Sequence, residues 1–283
     1  MKLSIITVGW KVKDLLRECL TSIFEQTQNI DFEVFVIDNN SGDGTAEMVQ
    51  NEFPQVNLII NPGNSGFAKA NNQAIVRAKG EYVLLLNPDT RILDRALDKM
   101  VSFMESKTNC GIGACKLLNS DLSLQPSIRR FPKLIDQVLI LLKVQHLFAN
   151  LKIFKNYLAT DFDYAQDSQV DQVMGAFMLI RRGVIDQIGM LDEEFWIWFE
   201  EVDFCQRTKK AGWEVWYTPR ANIVHHFGQS FKQKMSFEKQ KIFNASMRLY
   251  FKKHHSRLAY WTLLLVQPIS LILAWGYQTL RKK

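Results

Sequence analysis

The stretch Tyr82-Val83-Leu84-Leu85-Leu86-Asn87-Pro88-Asp89 constrains the fold more than any other in the chain. An unbroken apolar run of this length, without the polar alternation of a half-exposed strand, predicts a central parallel strand covered on both faces. Pro88 has no amide to continue the ladder, so the strand stops and Asp89 is presented at its carboxyl end. Open α/β sheets bind ligands along that edge, and a carboxylate there, close to phosphates, suits a hard divalent cation. Taken alone, the motif reads equally well as Asp89-Thr90 capping the helix that follows.

The chain around this strand alternates strand and helix in short, regular order. Leu3 to Val8 is an apolar β-rich run, and Leu15, Leu16, Cys19, Leu20, Ile23 and Phe24 then recur at helical spacing. Phe32 to Ile37 predicts a second strand, and a polar turn from Asp38 to Thr45 leads into a helix ending near Phe53-Pro54. Val56 to Ile60 predicts a third strand, and Phe67 to Lys79 a helix closed by Gly80. This order implies a doubly wound, mostly parallel central sheet flanked by helices, with the first hundred or so residues forming a nucleotide-binding half. The turn after the first strand, Gly9-Trp10-Lys11-Val12, lacks the GxGxxG of a dinucleotide fold, which argues against an NAD(P) oxidoreductase. The acids Asp38 and Asp43 suit base edges and ribose hydroxyls better than phosphates, which they would repel; their alternative role is turn and helix-cap chemistry.

Beyond Leu93 a further helix ends near Ser106 and a strand covers Ile112 to Leu117. A less regular part includes Arg129-Arg130. Leu134 to Phe154 predicts one amphipathic helix, either lying on a membrane, forming a lid or packed on the domain. Asp161 to Gln169 reads as a loop, Val173 to Ile180 as another buried strand, and Val215 to Tyr217 and Ile223 to His226 as two short strands. Between them, Phe195-Trp196-Ile197-Trp198-Phe199 forms an aromatic wall that runs into Glu200, Glu201 and Asp203 at the start of a helix. Those acids either complement a helix dipole or carry chemistry. Asp203 and Arg207, spaced i,i+4, form a supporting pair.

Charge is unevenly distributed. The net charge is +6 over 283 residues, yet residues 231–283 contain eleven Lys or Arg against one acid. Within that segment, 258–280 is 23 residues without a charge, which meets the ~20 residues a spanning helix needs. A basic end beside an apolar segment points to an anionic membrane surface, and no nucleic-acid-binding signature is present. Gln267-Pro268 in the middle and basic flanks on both sides leave a spanning, hairpin-like or surface-lying anchor equally compatible. Cys19, Cys110, Cys115 and Cys205 show no metal-type spacing, and no leader pattern precedes the first strand, so reduced thiols in a cytosolic compartment are expected.

Several patches, in order, resemble the inverting glycosyltransferases of family 2, with the GT-A fold, and among them the bacterial rhamnosyltransferase-like branch. They are Leu3 to Val8, Val36 to Thr45, Asn61 to Asn72, Leu86-Asn87-Pro88-Asp89, Gly175 to Arg182, Phe199 to Arg207 with Lys210 to Trp213, and Val224 to Ser230. The resemblance implies a sugar donor activated as a nucleoside diphosphate (dTDP or UDP), a divalent cation (Mg²⁺ or Mn²⁺) on that diphosphate, and one carboxylate as base. Carried over by motif, Thr7, Asp38 and Asp43 hold base and ribose, while Asn64, Gly66, Phe67 and Asn71 lie beside the donor. Asp89 corresponds to the last acid of the family's Asp-x-Asp metal motif, with Asn87 in place of the first acid. His225, favoured over its neighbour His226, reaches the metal or the leaving diphosphate. Arg129 and Arg130 resemble a phosphate-contacting basic patch of the branch, or are solvated surface charge. The base is Glu201, which stands where the family has the aspartate of a Glu-Asp pair; Trp198, Glu200 and Asp203 support the acceptor side.

The resemblance thus implies a GT-A catalytic domain over 1–230, with a nucleotide-binding half near 1–117 and an acceptor half near 118–230, followed by a basic helical membrane-association segment over 231–283. The expected enzyme transfers a sugar, most readily L-rhamnose from dTDP-rhamnose, to a lipid-linked or polysaccharide acceptor during cell-surface polysaccharide synthesis. It would act at the cytoplasmic face of the bacterial inner membrane. A UDP-hexose donor on the same fold, or a non-catalytic membrane scaffold whose Glu-Asp pair has drifted to Glu-Glu, are the alternatives. A nucleotidyltransferase would need a glycine-rich basic turn that Gly9-Trp10-Lys11 does not provide.

Overall fold

The computed structural model of the chain describes residues 1–226 and 237–280. One nine-stranded sheet forms its centre. Four strands, β1 (Leu3–Gly9), β2 (Phe32–Asp38), β3 (Asn57–Ile60) and β4 (Tyr82–Leu86), lie in the order 3-2-1-4 and are all parallel. The helices α1 (Lys13–Gln26), α2 (Thr45–Glu52) and α3 (Phe67–Ile75) connect them. Next come β5 (Thr90–Ile92), α4 (Ala96–Glu105) and β6 (Cys110–Leu118), then β7 (Ser168–Gln169), β8 (Phe177–Arg181) and β9 (Glu214–His225). The sheet order continues 4-8-6-9-5, with β7 beside β9; β8 runs antiparallel to both β4 and β6, so the second half is mixed.

The unbroken apolar strands follow from double coverage. Leu3 and Ile5 of β1, Val34 and Val36 of β2, and Tyr82, Leu84 and Leu86 of β4 face one core with α1, α2 and α4. Ile6, Phe35, Ile37, Val83 and Leu85 face the other, against α3, α7 (Arg182–Ile188) and α8 (Glu200–Lys210). All five β4 side chains are buried, and each such residue stabilises the fold by roughly 1.5–3 kcal/mol. All four cysteines are free and buried, and burial pushes their thiols well above the ordinary pKa, which leaves them unsuited to nucleophilic work.

Several elements differ from the sequence expectation. The helix predicted over Leu134 to Phe154 breaks into α5 (Leu134–Leu141), a 3₁₀ turn (Val144–His146) and α6 (Lys152–Tyr157), because Lys143 adopts φ +60° and ends the helical path. The two short strands at 215–217 and 223–226 are one strand, β9. A bulge interrupts it, the register jumping from Thr218 to Asn222 opposite consecutive residues of β6, and Pro219 sits in the excluded segment where no ladder amide is needed. The strand expected from Val173 begins only at Phe177, and β5, a three-residue strand after Asp89, has no periodic signal of its own.

The C-terminal part is a helical hairpin of α9 (Phe237–His254) and α10 (Arg257–Leu280). A third cluster, with Phe195, Phe199, Val202, Met247, Tyr250 and Leu263 among its members, fastens it to the start of α8 and to α5. The expected boundary at 230/231 and the tail of the late histidine motif, Phe227 to Ser230, lie outside the described residues.

Candidate active site

Thr7, Asp38 and Asp89, at or near the carboxyl ends of β1, β2 and β4, lie along one edge of the sheet. Asp38 ends β2, and the next residue, Asn39, is a hub sequence reasoning did not single out. Its side-chain oxygen accepts from Asn61 Nδ2 (3.1 Å), Ser65 N (3.0 Å) and Ser65 Oγ (3.1 Å), while its amide nitrogen donates to Asn64 Oδ1 (3.0 Å) and the Gly66 carbonyl (3.3 Å). These bonds fold the 61–66 loop over the strand ends. Asn64 also accepts from Gly66 N at 3.0 Å. Gly66, at φ +82°, has no room for a side chain: a β-carbon would sit 2.4 Å from the Trp196 carbonyl oxygen.

That contact joins the donor loop to the acidic helix. The Phe67 amide donates to the Trp196 carbonyl at 2.7 Å, and Asn72 clamps the same segment through Leu191 N, Leu191 O and Glu193 Oε1. Asn71 is engaged within α3, donating to the Phe67 carbonyl at 2.9 Å. The chain then turns through Trp198 and Phe199, both left-handed at φ +66° and +69°, before α8 begins. Two successive aromatic residues in that region are sterically costly and mark a locally strained corner. The corner delivers Glu201 to Gly175, where a β-carbon would lie 3.9 Å from Glu201 Cβ and 4.0 Å from the Phe67 ring. The neighbouring Ala176 carbonyl accepts the Asn87 backbone amide at 3.0 Å, so the Gly175-Ala176 segment touches both Glu201 and the strand end that precedes Asp89.

Asp89 meets His225 by strand register. Thr90 of β5 pairs with His225 of β9, the Asp89 carbonyl accepts from His226 N at 2.8 Å, and Asp89 Oδ1 lies 3.4 Å from His225 Nε2. Both residues are buried, and Asn87 Nδ2 stands 3.5 Å from the same Nε2. On the far side of the ring, His225 Nδ1 is 2.7 Å from Gln125 Oε1. The Gln125 amide nitrogen is already committed to Asn119 Oδ1 (2.8 Å) and the His225 carbonyl (3.1 Å), so its oxygen is the acceptor and Nδ1 carries the proton. Nε2 then presents its lone pair toward Asp89, the tautomer of a metal-binding imidazole with a supporting partner. The adjacent His226 faces elsewhere, toward Ser120 Oγ at 2.8 Å.

Several candidate residues carry a buried polar atom without a hydrogen bond among the described residues. Thr7 Oγ1, Asp38 Oδ1, Asp89 Oδ1, Glu200 Oε2 and Glu201 Oε2 are all of this kind. Each such atom costs about 1–3 kcal/mol unless something bonds it, so these atoms are available to a polar ligand. A carboxylate oxygen opposite an imidazole nitrogen 3.4 Å away fits one divalent cation. Two protein ligands leave most of its shell to the substrate, and among the described residues no third acid, histidine or cysteine joins them.

Burial and repulsion from Glu201 push the Glu200 carboxyl well above its ordinary pKa. Burial also raises Glu201, while backbone hydrogen bonds and the charge of Arg129 pull it back. Both carboxyls are thus held above the ordinary glutamate range, and Glu201 is the one that the charge of Arg129 reaches. Arg130, by contrast, forks onto Asp161 at 2.7 and 2.9 Å and onto the Asn156 carbonyl, at the surface. Asp43 is exposed and holds Thr45 N at 3.1 Å, the helix-start role. Trp198 packs edge-on against Phe243 of α9. Asp203 is fully buried and ligated by Arg207 (2.7 Å), Lys253 (2.9 Å) and His254 (2.7 Å). A groove of about 380 Å³ near the amino ends of β2 and β3, lined by Glu33, Phe35 and Asn57 among others, contains none of the candidate residues.

Residues 4–189 match the sequence model of the family described as "Glycosyl transferase family 2". Among curated relatives, the N-acetylglucosaminyl-diphospho-decaprenol L-rhamnosyltransferase of Mycobacterium tuberculosis is 26% identical over 81% of this chain and 77% of its own length. The rhamnosyltransferase WbbL of Escherichia coli K12 is 28% identical over 59% of this chain and 63% of its own. Among solved structures, the mannosyltransferase PcManGT of Pyrobaculum calidifontis, in complex with GDP-Man and Mn²⁺, superposes with a TM-score of 0.60 at 16% identity, covering 97% of this chain and 73% of that one, a likeness of fold.

Proposed function

The chain belongs to glycosyl transferase family 2, a glycosyltransferase of GT-A fold in the rhamnosyltransferase-like branch, and from that premise we propose that it transfers L-rhamnose from dTDP-rhamnose, with inversion, to a lipid-linked saccharide. The observation that supports the reading is that Asp38, Asp89 and Glu201 each keep a buried carboxylate oxygen without a hydrogen bond, while Gly175-Ala176 touches both Glu201 and the strand end before Asp89. Thr7 and Asp38 line the nucleoside end, and the Asn39-held loop with Asn64, Gly66 and Phe67 flanks the sugar. Asp89 and His225 would hold a divalent cation, whose chemistry is to neutralise charge on the departing diphosphate. The imidazole ligand favours Mn²⁺ over Mg²⁺. Glu201, with Arg129 tempering its basicity, accepts the proton of the attacking acceptor hydroxyl on the opposite face of the sugar. Its extra methylene relative to aspartate leaves intrinsic acidity nearly unchanged.

The relatives named for a decaprenol-linked acceptor and for rhamnosyl transfer support assignment to cell-surface glycan synthesis on a lipid-linked acceptor; we take the cytoplasmic face of the bacterial inner membrane as its place. We take residues 1–230 as the catalytic unit and 231–283 as the membrane-associating one. The test is a donor screen read as nucleotide release by purified protein with Mn²⁺ and a polyprenyl-diphosphate saccharide. Turnover of dTDP-rhamnose well above UDP-glucose and UDP-galactose is expected. Preference for a UDP-hexose refutes the rhamnosyl assignment, and no release from any donor refutes catalysis.

A further inference from the structure

The helix α10 is inside out for a water-soluble hairpin. Leu258, Trp261, Leu265, Ile269, Ile272 and Trp275 recur every three or four residues and are 46–77% exposed, whereas Gln267 and Ser270 are buried on the opposite face. The segment carries no charge from 258 to 280, and the cations Lys252 and Arg257, both exposed, stand at its start, with Arg281, Lys282 and Lys283 following it in sequence. An apolar stripe of this length is far outside the scattered exposure of ordinary surfaces.

By length alone α10 is long and apolar enough to cross a bilayer. Its partner forbids that. α9 runs antiparallel alongside it, and the Gln267 side chain donates to the Asn244 carbonyl at 2.7 Å and accepts from Arg248 Nη1 at 2.9 Å. Ala259 and Leu263 share a core cluster with Met247, Tyr250 and Phe251 of the same helix. α9 carries Glu238, Lys239, Lys241, Arg248 and Lys252, and taking those charges into hydrocarbon would cost several kcal/mol apiece. Crossing therefore requires α10 to leave α9 and abandon the Gln267 bonds.

We infer that α10 lies along an anionic membrane surface with its Leu/Ile/Trp stripe sunk into the interface, and that it does not span. Tryptophans near both ends of the stripe and cations beside it match the chemistry of that boundary. The docking is a built part of the molecule, because the hairpin is bonded to the acidic helix: Ser246 Oγ donates to the Ile197 carbonyl (2.8 Å), and Lys253 and His254 bind Asp203. The inference extends the membrane element of the proposed function and is independent of the sugar chemistry.

Full-length protein is added to preformed vesicles of phosphatidylcholine with roughly one-third phosphatidylglycerol, and to phosphatidylcholine alone. Expected are binding to the anionic vesicles, weaker binding to the neutral ones, and release by alkaline carbonate. The double variant L265E/I272E, which alters only exposed positions and leaves the circular dichroism unchanged, is expected to bind at least about tenfold more weakly. Carbonate-resistant association overturns the surface-lying placement in favour of a span. A solution dimer that the double variant dissociates, without vesicle binding, assigns the stripe to a second copy. Vesicle binding unaffected by the double variant also refutes the inference. Donor turnover in detergent, measured on the same preparation, separates any such failure from failure of the glycosyltransferase assignment.

Discussion

At the residue scale, the site is built by second partners as much as by the reacting groups. His225 lies at a strand end, but the proton on Nδ1, and so the lone pair on Nε2, is fixed by a glutamine 100 residues earlier in the chain. Replacing Gln125 with leucine removes that acceptor and leaves the imidazole free to adopt the other tautomer. Titration calorimetry of Mn²⁺ in the presence of dTDP should then show affinity lowered by about 10–100-fold; unchanged affinity would mean that His225 does not bind the ion. Nothing in the sequence marks Gln125, because the register of β5 and β9 that creates the pairing is a tertiary fact. Asn39 was closer to legible, standing inside the polar turn after β2, yet its five hydrogen bonds to the 61–66 loop follow no local pattern. The positions of Asp38, Asp89 and Glu201 beside element ends, by contrast, were legible because each follows an apolar or aromatic run that fixes where the element stops or starts.

At the scale of elements, the strained start of α8 and the hairpin against it act as one unit. Burial alone would raise the pKa of Asp203, but hydrogen bonds from His254, Lys253 and Arg207 overcome it and hold the carboxyl well below the ordinary range. Its stabilisation is therefore present above the unfolded carboxylate pKa of about 3.9 and is lost only as pH falls through the depressed folded value. Asp203→Ala strands the Arg207 and Lys253 cations and the His254 ring donor and should cost about 3 kcal/mol, a Tm fall of roughly 6–10 °C. In thermal melts the gap from the wild type should be full at pH 7 and close only in strong acid; a gap that is absent at neutrality, or that widens on acidification, contradicts this account. The i,i+4 pair with Arg207 was readable from spacing. The Lys253 and His254 contacts, which weld α9 to α8, were not, since they join positions some fifty residues apart. The same limit explains the broken α5–α6 segment, whose apolar composition suits a single helix while Lys143 turns the backbone out of it.

At the scale of the whole molecule, the parallel half of the sheet was readable from alternating runs buried on both faces, and it fixes which edge carries Asp38 and Asp89. The antiparallel insertion of β8 between β4 and β6 was not readable, because strand order depends on pairings far apart in sequence. That insertion brings Gly175 and Ala176 beside Asn87 and so closes the cleft between donor loop and acidic helix. The hairpin then ties the cleft to the apolar stripe of α10, an arrangement suited to an acceptor carried on lipid. The central claim is that Glu201 is the base in this cleft, and the most direct measurement is the single-turnover rate of Glu201→Gln and Glu201→Asp with the preferred donor, alongside nucleotide affinity. The account predicts a loss of about 10²–10⁴-fold for the glutamine variant, with dTDP affinity unchanged and most of the rate retained by the aspartate variant. A glutamine variant that turns over at the wild-type rate would contradict it.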